Sequence, residues 1–337
     1  MNETNIITST NTVNNVIDSI NDSGISGLLE YFTTLESIHY ITFIINLFIF
    51  IFGKQIINNL IVQTAESNQS RLRLLRIINT ILYFSVLLIS GYIAYLSWGT
   101  IYSIPAFLIY GVIYSFTNAR WHEYGHRTFF KSRILNDIFY EISSFLQYLE
   151  SVSWRWSHTH HHSRTIHQEI DFEIQVSRPS KLHLIFFTEM FRIQFIWFEF
   201  KKIFLHSLGI MTKVAIDCVP ENQRNKMIWN SRLYMLIKIL IIFWSFKIGS
   251  FLPCMFVILP NVYGNILLQF VTLTQHGGLK ADTWDHREST RTFYTNPILG
   301  WLLYINMQYH IEHHIYPQIP FYNLPKLHKL IKKQLPE

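Results

Sequence analysis

The chain has 337 residues, 49% of them hydrophobic and only 15% charged, with a positive mean hydropathy and a formal net charge of +6. Soluble domains carry about 25% charged residues, so the composition argues for a membrane protein, and the positive excess flanks apolar runs rather than forming a basic block with interleaved aromatics, which argues against nucleic acid as a partner. With only Cys218 and Cys254, and no C-x-x-C spacing, a disulfide framework, a zinc ribbon and a redox motif are excluded, whereas sixteen histidines make imidazole the donor to expect if a metal is bound.

Residues 1 to 24 are Asn, Ser, Thr and Ile in no clear period and lack the basic-then-apolar order of a cleaved signal peptide. They read as a weakly ordered tail, drawn to residue 37, ahead of a single domain at 38–337. The apolar run at 40–53 stops at Lys54, a length more typical of an interfacial or buried segment, and whether it spans a membrane is left open.

Residues 77–97 are free of charge and long enough to cross a hydrocarbon core of about 30 Å. A turn at Trp98, Gly99 and Thr100 leads into a second apolar run at 101–119, so the two predict a transmembrane hairpin. Arg71, Arg73 and Arg76 precede it and Arg120, Arg127, Lys131 and Arg133 follow it, which puts both outer ends in the cytosol by the positive-inside rule. A second hairpin is predicted from Leu233 to Gln275, turning near Gly249 to Pro253, with Arg224, Lys226 and Arg232 before it and Lys280 and Arg287 after it; Lys247 near the turn opposes the same orientation without reversing it. Between the hairpins, residues 184–205 mix Phe, Ile and Trp with Arg192, Glu199, Lys201 and Lys202, as a helix lying in the membrane interface does. The expected architecture is an all-α integral membrane protein: two transmembrane helical hairpins, interfacial helices and a cytosolic histidine-rich cap.

The dense histidine groups all fall outside the predicted spans, on the side assigned to the cytosol. His122 and His126 lie four apart in "HEYGH", and on a helix that offset is only about 40°, so both can grip one metal. In "HTHHH", His158, His161 and His162 share the i, i+3, i+4 face while His160 points away; in "HIEHH", His310, His313 and His314 repeat the spacing. His276 stands where the second hairpin leaves the membrane, followed by Gly277 and Gly278. Any one strip could be a packing or surface feature, but three brought to one membrane face by the hairpins point to a metal centre. Nine imidazoles exceed the four ligands of one zinc ion and suit two ions at four or five nitrogens each, among iron, copper, nickel or zinc. Glu123, Glu169, Asp171, Asp282, Asp285 and Glu312 sit within or near the clusters and are expected to include acceptors for the outer imidazole N–H groups. Trp121, Trp154 and Trp156 are candidates to wall an acyl channel, with interface anchoring as the plainer role. Arg127, Lys131, Arg155 and Arg164 are candidates for a phosphate-bearing head group, with inside-positive charge as the plainer reading.

These boxes resemble those of the membrane fatty acid desaturase family, and the segments "WRWSHTHHHSRT", "TQHGGLKADTWDHREST" and the stretch around "YHIEHHIYP" look like a mainly microbial branch of it, over roughly residues 70 to 330. The resemblance implies a helical membrane bundle, multi-pass and with its metal site facing the cytosol, in the endoplasmic reticulum of a eukaryote or the inner membrane of a bacterium. It further implies two iron ions held by His122, His126, His158, His161, His162, His276, His310, His313 and His314, and O2-dependent introduction of a double bond into a fatty acyl lipid or acyl thioester. His276 matches the family's isolated extra ligand. His310 opens the third box where front-end desaturases have Gln, and Thr272 stands where some relatives have Asn. "QHGG" lacks the proline of the H-P-G-G haem-binding segment, so a separate electron donor, of cytochrome b5 or ferredoxin type with its reductase, is expected.

Three rivals stay open at this stage. A membrane di-iron hydroxylase or oxygenase of a lipid, alkane or carotenoid would share the ligand set. "HEYGH" also fits the H-E-x-x-H zinc metalloprotease pattern, with Glu123 as base, but that explains one strip and ignores two. A metal carrier should show a series of ionisable residues inside its spans, and neither hairpin offers one.

Overall fold

The structure is a computed structural model and describes residues 68–174 and 181–336. The tail drawn at 1–37 and the run at 40–53 lie outside the described residues. Helices dominate, and among the described residues β pairing is limited to an isolated bridge between Thr292 and Tyr309.

Helix α1 (Asn68–Ser97) is followed after a short turn by α2 (Ser103–Ser115) and α3 (Thr117–Gly125). Tyr83, Leu87, Ser90 and Ala94 form one buried stripe on α1 at helical spacing, while Ile81, Leu88 and Tyr92 stay exposed. The two helices run antiparallel, since the Tyr83 hydroxyl donates to Ile113 O at 2.7 Å and Ser103 Oγ donates to Ser97 O at 2.6 Å. Beyond them come α4 (Arg133–Leu146), α5 (Ser151–Ser163), α6 (Leu182–Glu189), α7 (Ile193–Ser207), α8 (Lys213–Cys218) and α9 (Glu221–Lys247). The interfacial segment expected at 184–205 is thus two helices, bent at Arg192, whose backbone is left-handed with φ 49°.

Two of these helices, α1 over Ser70–Ser97 and α9 over Glu221–Lys247, are long and apolar enough to cross a membrane. The return arms expected at 101–119 and up to Gln275 are shorter and broken. After α9 the chain makes a π-helical turn (Cys254–Ile258), α10 (Pro260–Tyr263) and α11 (Ile266–His276). Proline is the cause: residue 260 has no N–H to offer the carbonyl of Met255, five residues back. Tyrosine hydroxyls fill in. Met255 O accepts from Tyr263, Phe256 O from Tyr110, Val257 O from Tyr114 and Ile258 O from Tyr148, at 2.7 to 3.1 Å. In an apolar medium a broken helix persists only when its freed polar groups are satisfied this way. Glycine permits the arms to meet, because a Cβ on Gly264 would lie 1.9 Å from the carbonyl carbon of Gly111.

The remaining helices are α12 (His286–Ser289), α13 (His310–Ile315) and α14 (Leu324–Ile331). Arg120, read from sequence as a topology charge, is fully buried and clamps the fold instead. Its guanidinium donates to Leu302 O, Leu303 O and Asn79 Oδ1 and lies 3.5 Å from the centre of the Tyr83 ring, tying α1 and α3 to the segment before the third histidine strip.

Candidate metal centre

Four elements deliver the nine expected histidines. His122 and His126 come from α3, His158, His161 and His162 from α5, His276 from the end of α11, and His310, His313 and His314 from α13. They gather as two groups, His122, His126, His158, His162 and His313 in one and His161, His276, His310 and His314 in the other, with the donor nitrogens in each group all within 4.8 Å of one another. His160 belongs to neither.

The division follows helical phase more finely than one strip on one face. Each i, i+4 pair, 122/126, 158/162 and 310/314, stays within one group, because those side chains nearly eclipse. The i+3 members cross over: His161 of α5 joins the group centred on α13, and His313 of α13 joins the group on α3 and α5. The exchange stitches the two helices together, and His162 and His314 stack between the groups with ring centroids 4.4 Å apart.

Outer contacts hold five of the nine rings at Nδ1. His161 Nδ1 donates to Asp171 at 2.9 Å, His158 Nδ1 to Glu173 at 3.0 Å and His276 Nδ1 to the carbonyl of Ser289 at 2.9 Å. The Thr165 hydroxyl accepts from His314 Nδ1 at 3.2 Å while donating to His161 O. The Gln275 side-chain amide Nε2 donates to His310 Nδ1 at 3.1 Å and to Met307 O at 3.2 Å, so His310 accepts at its outer nitrogen. His158, His161, His276 and His314, donating at Nδ1, present unprotonated Nε2 lone pairs inward when neutral.

The inward Nε2 atoms lie within hydrogen-bond distance of one another. Nε2 of His158 lies 3.0 Å from that of His126 and 3.1 Å from that of His162, and Nε2 of His310 lies 2.9 Å from that of His276 and 3.1 Å from that of His314. A second proton on each ring is disfavoured, because burial first and neighbouring histidines second hold His122, His126, His162, His310, His313 and His314 well below the usual imidazole range, and burial holds His276 at about 3. His161 departs from the pattern: burial opposes its charge, but the Asp171 and Glu173 carboxylates outweigh that and raise it, and Asp171 is itself drawn down to about 2, its own burial outweighed chiefly by His161. Converging imidazole nitrogens, with the outer N–H of His158, His161, His276 and His314 anchored, are what a metal cation requires, so five and four imidazoles fit a pair of ions.

Beside both groups lies a cavity of about 270 Å³, lined by His122, His158, His161, His276 and His310 at one end and by Trp121, Leu149, Trp154, Ile185, Arg192, Phe195, Gln269 and Thr272 elsewhere. Trp121 sets its ring edge-on to Trp154 and to His158, at 5.6 and 5.7 Å. Trp154 is held by a 2.7 Å bond from its Nε1 to Glu199.

Residues 99–337 match the fatty acid desaturase family. The chain belongs to that family. Among curated proteins it is similar to the Delta(5) fatty acid desaturase fat-4 of Caenorhabditis elegans, 24% identical over 239 residues that make up 63% of this chain and 53% of that protein. The chain therefore spans about half the length of the curated relative it matches.

Of the six acids expected to support the ligands of this desaturase-family chain, only Asp171 bonds to one of the nine. Glu123 is buried, accepts from Thr128 Oγ1 at 2.8 Å and Phe321 N at 3.0 Å, and is pushed by burial up to about 7. Glu312 accepts from the Thr292 hydroxyl and the His328 imidazole, fastening α13 to α14. Asp282 accepts from the Gln168 backbone N–H and side-chain amide, Asp285 caps α12 and pairs with Arg287, and Glu169 is exposed. Glu173, Thr165 and Gln275 escaped the sequence reading; the spacing D-x-E at 171 to 173, one loop past the second box, was the available signal for the first. Trp156 packs with Val152 and Met227 rather than lining the cavity. Arg127 and Arg155 both bond to Asp137, at 2.9 and 3.0 Å, and Lys131 and Arg164 are exposed.

Proposed function

We propose that the chain is a membrane di-iron desaturase that uses O2 to introduce a double bond into a fatty acyl chain carried on a lipid or thioester, with electrons from a separate donor protein. The observation that carries this reading is the five-plus-four convergence of imidazole nitrogens beside a cavity walled in part by Trp121, Leu149, Trp154 and Phe195. Two iron ions bound there would supply the O2-dependent chemistry that removes hydrogen from an unactivated C–H bond. His122, His126, His158, His162 and His313 hold one ion, and His161, His276, His310 and His314 the other. Asp171, Glu173, Thr165 and the Ser289 carbonyl orient the rings and strengthen them as donors. Trp121, Leu149, Trp154 and Phe195 exclude water and align the acyl chain against the histidines.

The proposed topology sets α1 and α9 across the bilayer, each returning through its broken arm as a hairpin, with α6 and α7 at the interface and the histidines on the cytosolic side. The protease reading is disfavoured by coordination number, since His122 and His126 are joined by three further imidazoles, whereas a catalytic zinc takes three protein ligands and keeps a position open.

Mass spectrometry of lipids from cells expressing the protein tests the reaction, beside cells expressing the double variant His313→Ala, His314→Ala. A new lipid lighter by two hydrogens, absent from the variant, is expected; a lipid heavier by one oxygen in its place would make the chain a hydroxylase.

A further inference from the structure

Lys238 sits on the buried stripe of α9, only 2% exposed, and its Nζ has no hydrogen-bond partner among the described residues. No carboxylate pairs with it there. Its ammonium faces the Tyr148 and Phe145 rings, 3.4 and 4.5 Å from their centroids, and it opens on a cavity of about 300 Å³ lined by Tyr148, Ile193, Trp197, Ile242, Ile258 and Val262. Aromatic faces compensate a cation only in part. Trp229 and Trp244 on the same helix are exposed, 15 residues and roughly 22 Å apart, and a spanning α9 would set them toward the two interfaces. Lys238 falls between them. An ionisable side chain at that depth marks a functional site by default.

This cavity and the one beside the histidines are back to back. Tyr148 lines the first and Leu149 the second; Ile193 lines the first and Arg192 the second. Both dividing turns are constrained, since Tyr148 and Arg192 have left-handed backbones with φ 63° and 49°, a conformation that non-glycine residues hold only when their surroundings enforce it.

We propose that the Lys238 cavity is a second lipid site, which takes the carboxylate of an unesterified aliphatic acid on Nζ and lays its chain along Trp197, Ile242 and Val262. An anionic oxygen supplies the missing partner, and a single apolar chain suits the wall. A phospholipid phosphate is anchored at headgroup level by two chains and does not sink between the tryptophan belts. The inference rests on α9 spanning the membrane and is independent of metal chemistry, so a failed activity assay leaves it standing.

The test is photolabelling of the full chain, in neutral-lipid nanodiscs, with an aliphatic carboxylic acid bearing a diazirine, followed by peptide mass spectrometry. Label is expected on peptides containing Ile242 and Ile258, which line only this cavity. The unlabelled acid should compete, and its methyl ester and vesicles of phosphatidic acid should not. Lys238→Met should weaken labelling about tenfold or more, as loss of one charge-assisted bond does, while Lys238→Arg retains it. Equal competition by the methyl ester in the unaltered protein, effective competition by phosphatidic acid, or undiminished labelling of Lys238→Met would each overturn the proposal.

Discussion

At the scale of single residues, the chemistry was carried by spacing. Residues three and four apart share a helix face, and that i, i+3, i+4 spacing selected His158, His161 and His162 over His160 and, with the i, i+4 pair His122 and His126, the strip His310, His313 and His314. What spacing left open was which centre each i+3 histidine serves, because that depends on the position of the partner helix. The prediction is accordingly sharp: His160→Ala should leave bound metal nearly unchanged, while His161→Ala should lose ions from one group, measured by elemental analysis of purified protein. Equal loss from both would contradict the helical phase of α5. Asp171 and Glu173 act through the rings they hold, so Asp171→Asn should weaken metal affinity by about 10- to 100-fold in a chelator competition while the protein stays folded. Glu173, Thr165 and Gln275 were hidden from sequence because turns, rather than helical periodicity, bring them to the imidazoles.

At the scale of elements, α1 and α9 were plain from hydropathy and the broken return arms were not. Pro253 was read as part of the hairpin turn, while Pro260 and Gly264 went unread as breakers, because an apolar run reads as continuous until one asks where its freed carbonyls find donors. Tyr110, Tyr114 and Tyr148 lie in segments distant from 255–258, so no local pattern announced them. Removing one donor should leave a buried carbonyl unsatisfied and cost about 1–3 kcal/mol, seen as a lowered Tm for Tyr114→Phe in detergent. Gly264→Ala should be worse, since its new Cβ meets backbone at 1.9 Å rather than a yielding side chain. A Gly264→Ala protein as stable as the parent would refute the close crossing of α2 and the α10–α11 turn.

At the scale of the whole molecule, distant segments fold so that nine imidazoles are buried together, and that arrangement has a pH signature. For the seven histidines whose pKa is depressed, the neutral ring is favoured in the folded state, whereas the unfolded chain binds protons near the ordinary value of about 6.5. The unfolded state then holds more protons, so their contribution is present above that value and is lost as pH falls below it. Chelator-treated protein should lose thermal stability steeply between about pH 7 and 5; a flat profile would mean that the imidazoles are not buried as a cluster. The measurement that bears most directly on the central claim is metal stoichiometry of purified, active protein. About two irons per chain are predicted, falling with His313→Ala and with His161→Ala. A single zinc, or active protein with no paired transition ions, would contradict the account.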